Sequence, residues 1–396
     1  KHYYPDGKLA AELLAAYGSP LYVYDSEHLE EKMHEVDQSI PYPGTRFAFA
    51  AVTNGNINLL RKFKAAGWSL HANTPGDAFL GMKAGFEAVD IVYSGSNLTP
   101  QEMEQMLRWG IGTYNLDSLS QLDLLARIRN EIGAQQPKIG FRLNLPQITG
   151  ESRIGISSDE LIEAERRAIA YDLSVTGIHF YRGTSTNATE RFIDCIDAVL
   201  SAGKKLKNWR YLDFGGGFGF AYFDRKHSFE WQLFGKELNA ALRRDKLNLD
   251  LIIEPGRSII AGSAALLCTV VSSKWQGEKQ FLGVDTSTSN IAVLSVHGGV
   301  RQVRYYGHDN EPLHLTDVCG NTTYSRDYLA KSCSLPAMVP GDILSILDVG
   351  AYGYAMSSHF LHRPRIPELL IENAKPRLIR KRENIDSLLS NQVDFE

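Results

Sequence analysis

The sequence has few cysteines, no long apolar run and little net charge, and each shortage closes off a class of protein. Four cysteines stand in 396 residues, Cys195, Cys268, Cys319 and Cys333, far apart and without metal-type spacing. A disulfide framework is not expected at that density, whereas a reducing, cytoplasmic setting is; no metal is expected. No run of about eighteen apolar residues occurs, so no segment is expected to span a bilayer. A formal net charge of −4 gives no electrostatic case for nucleic acid or an anionic membrane as a partner. The start carries no signal-peptide pattern, and a first residue of Lys1 rather than Met reads as a trimmed N-terminus. Low-complexity segments and long linkers are missing too. With 43% apolar and 22% charged residues the composition excludes a disordered or fibrous chain, and the length allows two domains.

What is present is a rhythm. Leu9 to Tyr17 reads as a helix closed by Gly18, and Leu21–Tyr24 as a short strand followed by a helix through Met33, with Asp25 and Ser26 as N-caps. From about residue 45, apolar runs alternate with amphipathic stretches. The runs are Arg46–Ala51, Ile91–Tyr93, Gly112–Asn115, Ile139–Leu143, Val175–Phe180, Tyr211–Phe214 and Leu249–Ile253. Helix-like segments between them are Ile57–Ala66, Pro100–Arg108, Ser118–Arg129, Ser158–Tyr171 and Glu190–Ala202. Continuous apolar strands separated by helices imply parallel β/α units. Repeated about eight times over roughly 220 residues, they favour a (β/α)₈ barrel over an open sheet, an architecture sharing the same alternation. After about residue 262 the helical period fades, and Ala265–Ser272, Gln280–Val284, Gly299–Tyr306 and Asp342–Asp348 read as strands. The expected organisation is an N-terminal segment over 1–40 whose strand joins the β domain, a barrel over 41–262, and a mainly β domain over 263–396 ending in a charged helix from Arg380 to Leu389.

Three motifs carry chemistry. Gly215-Gly216-Gly217 follows a predicted late barrel strand, where glycines let backbone N–H groups approach an anion such as phosphate; alone, the triplet would also serve as a flexible turn. Glu254-Pro255-Gly256-Arg257 ends the next strand. Its Arg can bind phosphate and its Glu can hold a protonated ring nitrogen, or the two can form a surface pair beside a proline turn. Val349-Gly350-Ala351-Tyr352-Gly353-Tyr354 projects an aromatic from small residues, or packs as a tight turn.

Together, and in this order, these motifs resemble the fold-type III pyridoxal phosphate-dependent decarboxylases, which include diaminopimelate, ornithine and carboxynorspermidine decarboxylases. The resemblance runs from Gly18–Asp25 through Asn115–Ser118, Arg142–Asn144 and Ser152–Ile156 to the tail, and His362–Arg365 is more similar to the diaminopimelate branch. It implies an alanine racemase-like fold, a barrel plus a C-terminal β domain, with pyridoxal 5′-phosphate as cofactor and an amino acid as substrate. It also implies a homodimer with composite active sites, in which the segment near 319–327 enters the partner's barrel. Gly215, Gly216, Gly217, Arg257 and Tyr352 would hold the cofactor phosphate, and Glu254 the ring nitrogen. His179, Gly183, Thr184 and Gly256 complete the cofactor set, while Arg142, Asp285 and Arg363 are substrate candidates.

The chain departs from the family at the position that matters most. The family's first barrel strand ends in an aromatic-Ala-x-Lys-Ala pattern whose lysine forms the Schiff base, and here Phe47-Ala48-Phe49-Ala50-Ala51 puts Ala50 in that register. Lys62 and Lys64 lie too far along the next helix to substitute. His71 stands for an aspartate and Asp77 for a glutamate. Tyr181 replaces the histidine that stacks on the cofactor, and Thr323, next to Tyr324, replaces the catalytic cysteine; Cys319 reads as structural. Ala50, Tyr181, Thr323 and Tyr324 are therefore the catalytic positions, and decarboxylation by this chain is expected to be negligible. Two accounts of Ala50 stand: an engineered lysine-to-alanine change, or a natural non-catalytic relative acting as a regulatory binding protein. Racemisation or other carbanion chemistry on the same cofactor is the alternative reaction. The altered 319–327 segment argues against diaminopimelate itself and leaves a larger or specialised amino acid open.

Overall fold

The computed structural model describes residues 2–183, 187–223 and 227–395. They divide into two compact units: Met33–Ala221 with Lys226–Ser258, and Lys1–Lys32 with Tyr222–Arg225 and Ile259–Glu396.

The first strand of the unit that contains Ile259–Glu396 is β1 (Leu21–Asp25). The other unit is a closed barrel of parallel strands: β2 (Thr45–Ala50), β3 (Ser69–Ala72), β4 (Ile91–Tyr93), β5 (Thr113–Leu116), β6 (Lys138–Arg142), β7 (Val175–His179), β8 (Tyr211–Asp213) and β9 (Asp250–Ile253). β3, β4, β5 and β8 are buried along their whole length, as strands covered on both faces must be. The helices between them start and stop on local signals. Pro100–Trp109, for example, opens with a Thr99–Glu102 capping box and Pro100 in its first turn, and closes on Gly110 at φ 79°. The strand β3 is not among the apolar runs of the sequence, because two of its four buried residues are Ser69 and His71. The barrel floor is filled by Tyr211, whose ring crosses the neighbouring strand. A Cβ on Gly177 would sit 1.9 Å from that ring, so only glycine fits there.

The expected helix over Glu190–Ala202 is broken into Thr189–Ile193 and Ile196–Gly203. The Cys195 thiol sits between them and donates to the Arg191 carbonyl at 2.8 Å.

In the other unit, β1 lies between β10 (Ala264–Gln276) and β16 (Glu368–Glu372), antiparallel to the first and parallel to the second. The sheet is completed by β11 (Lys279–Val284), β12 (Val303–Tyr305), β13 (Leu313–Cys319), β14 (Tyr328–Pro336), β15 (Ile343–Leu347) and β17 (Lys375–Arg380). Helix Gly7–Tyr17 packs on it through Ala10 and Leu13 against Leu21, Val23, Leu267, Leu369 and Ile371. The helix expected over Arg380–Leu389 does not form. Arg380 ends β17, with its guanidinium 2.5 Å from the buried Glu368. Arg382 is drawn off by the carbonyls of Tyr17 and Pro20, and Glu383 by the Arg365 N–H. What remains is a single 3₁₀ segment, Ile385–Leu389, capped by Asn384.

Among the described residues, no helix is long and apolar enough to cross a membrane.

Candidate active site

The barrel strands end in polar residues at one level. Register places Ala50 beside His71, Arg142 beside His179, and His179 beside Asp213. Ser94 and Glu254 come directly after β4 and β9, and Asn115 lies on β5. Barrel enzymes carry their chemistry at these C-terminal strand ends.

Glu254 is the hub. Its carboxylate is 3.1 Å from His179 Nε2 and 3.5 Å from His71 Nε2, and it accepts from Ser94 Oγ at 3.3 Å. Asn115 Nδ2 donates to Ser94 Oγ at 2.9 Å and to Asp213 at 3.0 Å, and is itself oriented by the Tyr211 hydroxyl at 2.8 Å. Burial pushes the Glu254 carboxyl up to about 7. It pushes Asp213 well above its ordinary range, and nearby Glu254 adds to the rise. Burial also pushes both imidazoles down to about 4. At neutral pH both histidines are therefore neutral, burial favours the protonated form of Asp213, and Glu254 is the carboxyl that titrates in that range. The ligand atoms of His179, Asp213 and Glu254 lie within 4.8 Å of one another. Such a group could hold a cation, whether a metal ion or a protonated ring nitrogen.

The arrangement has a pH signature. Glu254 titrates higher in the folded chain than its ordinary 4.5, so its share of stability is complete below that value and is lost as pH rises toward 7. The histidines act oppositely: their cost appears as pH falls from 6.5 toward 4. Glu254→Gln removes the first effect and leaves the second. Urea unfolding should show the variant gaining on the unchanged chain between about pH 5 and 8, by up to about 3 kcal/mol. A difference independent of pH would contradict the assignment.

The glycine motif is a cradle. Gly215 and Gly217 have φ 74° and 94°. A Cβ on Gly215, Gly216 or Gly217 would lie 2.0, 2.5 or 2.2 Å from the carbonyl oxygens of Phe180, Glu254 and Gly183. The Gly215 N–H donates to Asp213 at 2.9 Å, which ties the cradle to the polar cluster. Phe218, the second residue after Gly216, anchors the loop in an aromatic cluster, 4.7 Å from Phe192 and 4.5 Å from Trp231 between ring centroids. Tyr181 lies against the cradle, with Cε2 3.3 Å from the Cβ position of Gly217. Its ring carries the Arg142 guanidinium at 5.0 Å. Ala50 is 9% exposed, and its N–H donates to Pro255 O at 3.2 Å. Gly256 packs on it, where an added Cβ would be 3.1 Å from Ala50 Cβ and 2.2 Å from Thr53 Oγ1. Arg257 follows, opening the short helix Arg257–Ile260.

The structure thus brings together Ala50, Arg142, His179, Tyr181, Gly183, Gly215, Gly216, Gly217, Glu254 and Gly256 of the sequence-derived set. Thr184 lies outside the described residues. Asp285, Thr323, Tyr324, Tyr352 and Arg363 belong to the other unit. There, Asp285 accepts from the Thr269 N–H at 2.8 Å. The loop carrying Thr323 and Tyr324 is folded around Asp327, which accepts from Thr288 N, Thr322 N and the Thr322 hydroxyl. Arg363 donates to Asn321 O in that loop at 3.0 Å, and Tyr324 packs edge-on against Phe360. Tyr352 adopts φ 56°, a left-handed conformation uncommon for an aromatic residue. Sequence reasoning gave no site role to Ser94, Asn115 or Asp213, although Asp213 opens the glycine motif and Asn115 opens a segment of the family resemblance. For Ser94 the signal is polarity at the C-terminal end of an otherwise apolar strand.

Comparison with known proteins agrees with this geometry. The sequence profile of the pyridoxal-dependent decarboxylase, pyridoxal binding domain family matches residues 26–261. The chain is 30% identical to diaminopimelate decarboxylase of Vibrio cholerae serotype O1, over 98% of this chain and 97% of that protein. It is 29% identical to the enzyme of that name from Methanothermobacter thermautotrophicus, over 98% and 94%. The crystal structure of diaminopimelate decarboxylase from Helicobacter pylori complexed with L-lysine superposes with a TM-score of 0.89 at 28% identity, covering 96% of this chain and 98% of that one. With a barrel that ends in a glycine cradle and a buried carboxylate, and with relatives matched along nearly their whole length, this chain belongs to the pyridoxal-dependent decarboxylase family, whose cofactor is pyridoxal phosphate.

Proposed function

We propose that this chain is a diaminopimelate decarboxylase-like amino-acid decarboxylase scaffold that binds pyridoxal phosphate without a covalent link and does not turn over, because residue 50 is alanine. The observation that carries the reading is the contrast at the barrel mouth. Glu254 keeps its polar partners and the glycines keep their cradle, while Ala50 alone lacks the nitrogen that the cofactor carbonyl needs.

The residues present fit the ring and phosphate. Both nitrogens of His71 and Nδ1 of His179 are buried without a hydrogen bond among the described residues, as in a site that a polar ligand completes. The cradle has no room for a side chain, but backbone approaching an anion needs none. When bound, the cofactor supplies an electron sink for the electrons left at the substrate's α-carbon as carbon dioxide departs. Glu254 holds the proton on the ring nitrogen, and the neutral histidines keep that proton from being contested by a second cation. Gly216, Gly217 and Arg257 hold the phosphate. Tyr181 offers its ring to the pyridine face, stiffened by the guanidinium of Arg142. Tyr352 and Arg363 carry phosphate and substrate roles on sequence motif alone. The Thr323 hydroxyl returns a proton poorly, since its pKa is far above that of a thiol.

The substrate class is an amino acid with a second polar end; diaminopimelate is the first to test because the full-length relatives carry that name, although the altered 319–327 segment speaks for a larger or specialised one. The protein acts in the cytoplasm, consistent with four free thiols, and as a homodimer. Native mass spectrometry tests the reading, with the chain mixed with pyridoxal phosphate and, separately, diaminopimelate, lysine or ornithine. One cofactor should be retained per chain, and a second mass should appear with diaminopimelate. Retention with a different amino acid would rename the substrate, and no retention of cofactor would overturn the proposal.

A further inference from the structure

Ala50 and His71 are cross-strand partners at the ends of β2 and β3. Paired residues of adjacent parallel strands project to the same face, so the departure at 71 sits beside the departure at 50. The His71 side chain turns to the barrel interior: its Nε2 is 3.5 Å from Glu254, and its ring lies 6.5 Å from that of His179, nearly parallel. It is 5% exposed, and neither ring nitrogen makes a hydrogen bond among the described residues. Burial, opposed by Asp213 and Asp77 and helped by His179 and Arg142, holds the imidazole neutral at physiological pH. A neutral imidazole offers one N–H and one lone pair. Since neither nitrogen has a hydrogen-bond partner among the described residues, the ring keeps a lone pair free to meet a donor.

The cofactor's two common forms differ at the carbon that the family's lysine would meet. The aldehyde of pyridoxal phosphate has no hydrogen to donate, and without a lysine it has nothing to bond covalently. The aminomethyl group of pyridoxamine phosphate carries a cationic nitrogen with several N–H donors. Accepting the family cofactor as the ligand of this barrel, we propose that the chain takes the amine form, pyridoxamine 5′-phosphate, in preference to the aldehyde, with the His71 imidazole receiving a hydrogen bond from the aminomethyl nitrogen next to Ala50. The ligand class follows from the pair: a small residue at 50 leaves space for the amine, and an unsatisfied acceptor at 71 receives it. A charge-assisted hydrogen bond to a buried acceptor is worth about tenfold to a hundredfold in affinity.

The test is equilibrium titration of the full chain with pyridoxamine 5′-phosphate, pyridoxal 5′-phosphate and pyridoxine 5′-phosphate, followed by ligand fluorescence. The amine should bind about tenfold to a hundredfold tighter than the aldehyde, with the neutral alcohol between them. His71→Leu should erase that preference by weakening the amine alone, and His71→Gln, which keeps a carbonyl acceptor, should restore part of it. Equal binding of the three, or tighter binding of the aldehyde, overturns the inference and leaves the family cofactor assignment intact. Binding of none overturns that assignment, and this inference with it. Should His71→Leu fail to fold, the order of the three ligands on the unchanged chain still decides, since it needs no variant.

Discussion

Ala50→Lys is expected to produce a visible absorption band on addition of pyridoxal phosphate and to raise carbon dioxide release from the substrate amino acid by roughly 10³-fold or more over the unchanged chain. The size follows from what alanine cannot do. A methyl group neither bonds the cofactor carbonyl nor carries a proton to or from the substrate. The cofactor-binding part of the barrel is in place: the Glu254 hub with Ser94 and His179, the cradle over Gly215–Gly217, and Arg142 on Tyr181. The new side chain would start from the end of β2, beside Gly256 and across from His71. Position 50 is buried, which favours the uncharged amine that attacks the cofactor carbonyl. Racemisation without carbon dioxide release would replace decarboxylation as the reaction. A band without any turnover would move the defect from Ala50 to Tyr181 and Thr323.

Gly216→Val should abolish phosphate-dependent binding of every pyridoxal vitamer, a loss of about a hundredfold or more in affinity. The Cβ would sit 2.5 Å from the Glu254 carbonyl oxygen, and the atom it meets is backbone, so relief requires moving the residue that carries the hub carboxylate. One substitution therefore disturbs both the anion cradle and the ring-nitrogen partner. Overpacking of this kind costs about 1–3 kcal/mol of stability, so unfolding of the variant is checked by circular dichroism before titration. Retained binding in a folded Gly216→Val protein would place the phosphate elsewhere.

The barrel was legible because seven of its strands are continuous apolar runs, which parallel strands covered on both faces must be. The eighth, Ser69–Ala72, hid behind Ser69 and His71, whose burial only the closed barrel explains. The β unit was harder. β13 opens with exposed and half-buried positions before three buried ones, and β17 is largely exposed, so neither shows an apolar stretch. Tertiary ion pairs then decided the tail: Arg380 with Glu368 and Arg382 with two carbonyls overrode a helical charge pattern. The site motifs were legible as anion and ring-nitrogen binders since glycine triplets and strand-end carboxylates carry that chemistry locally. The pairing of Ala50 with His71 was not, because strand register joins residues 21 positions apart. Nor were the raised pKa values of Asp213 and Glu254, which depend on both being buried together.

The most direct measurement of the central claim is borohydride reduction of the chain and of its Ala50→Lys form, each saturated with pyridoxal phosphate, followed by peptide mapping. A cofactor site that lacks its lysine predicts reversible binding and no added mass on the unchanged chain, and one phosphopyridoxyl group on the lysine introduced at position 50 of the variant. A stable adduct on one of the chain's own lysines, or no cofactor binding by either form, would contradict it.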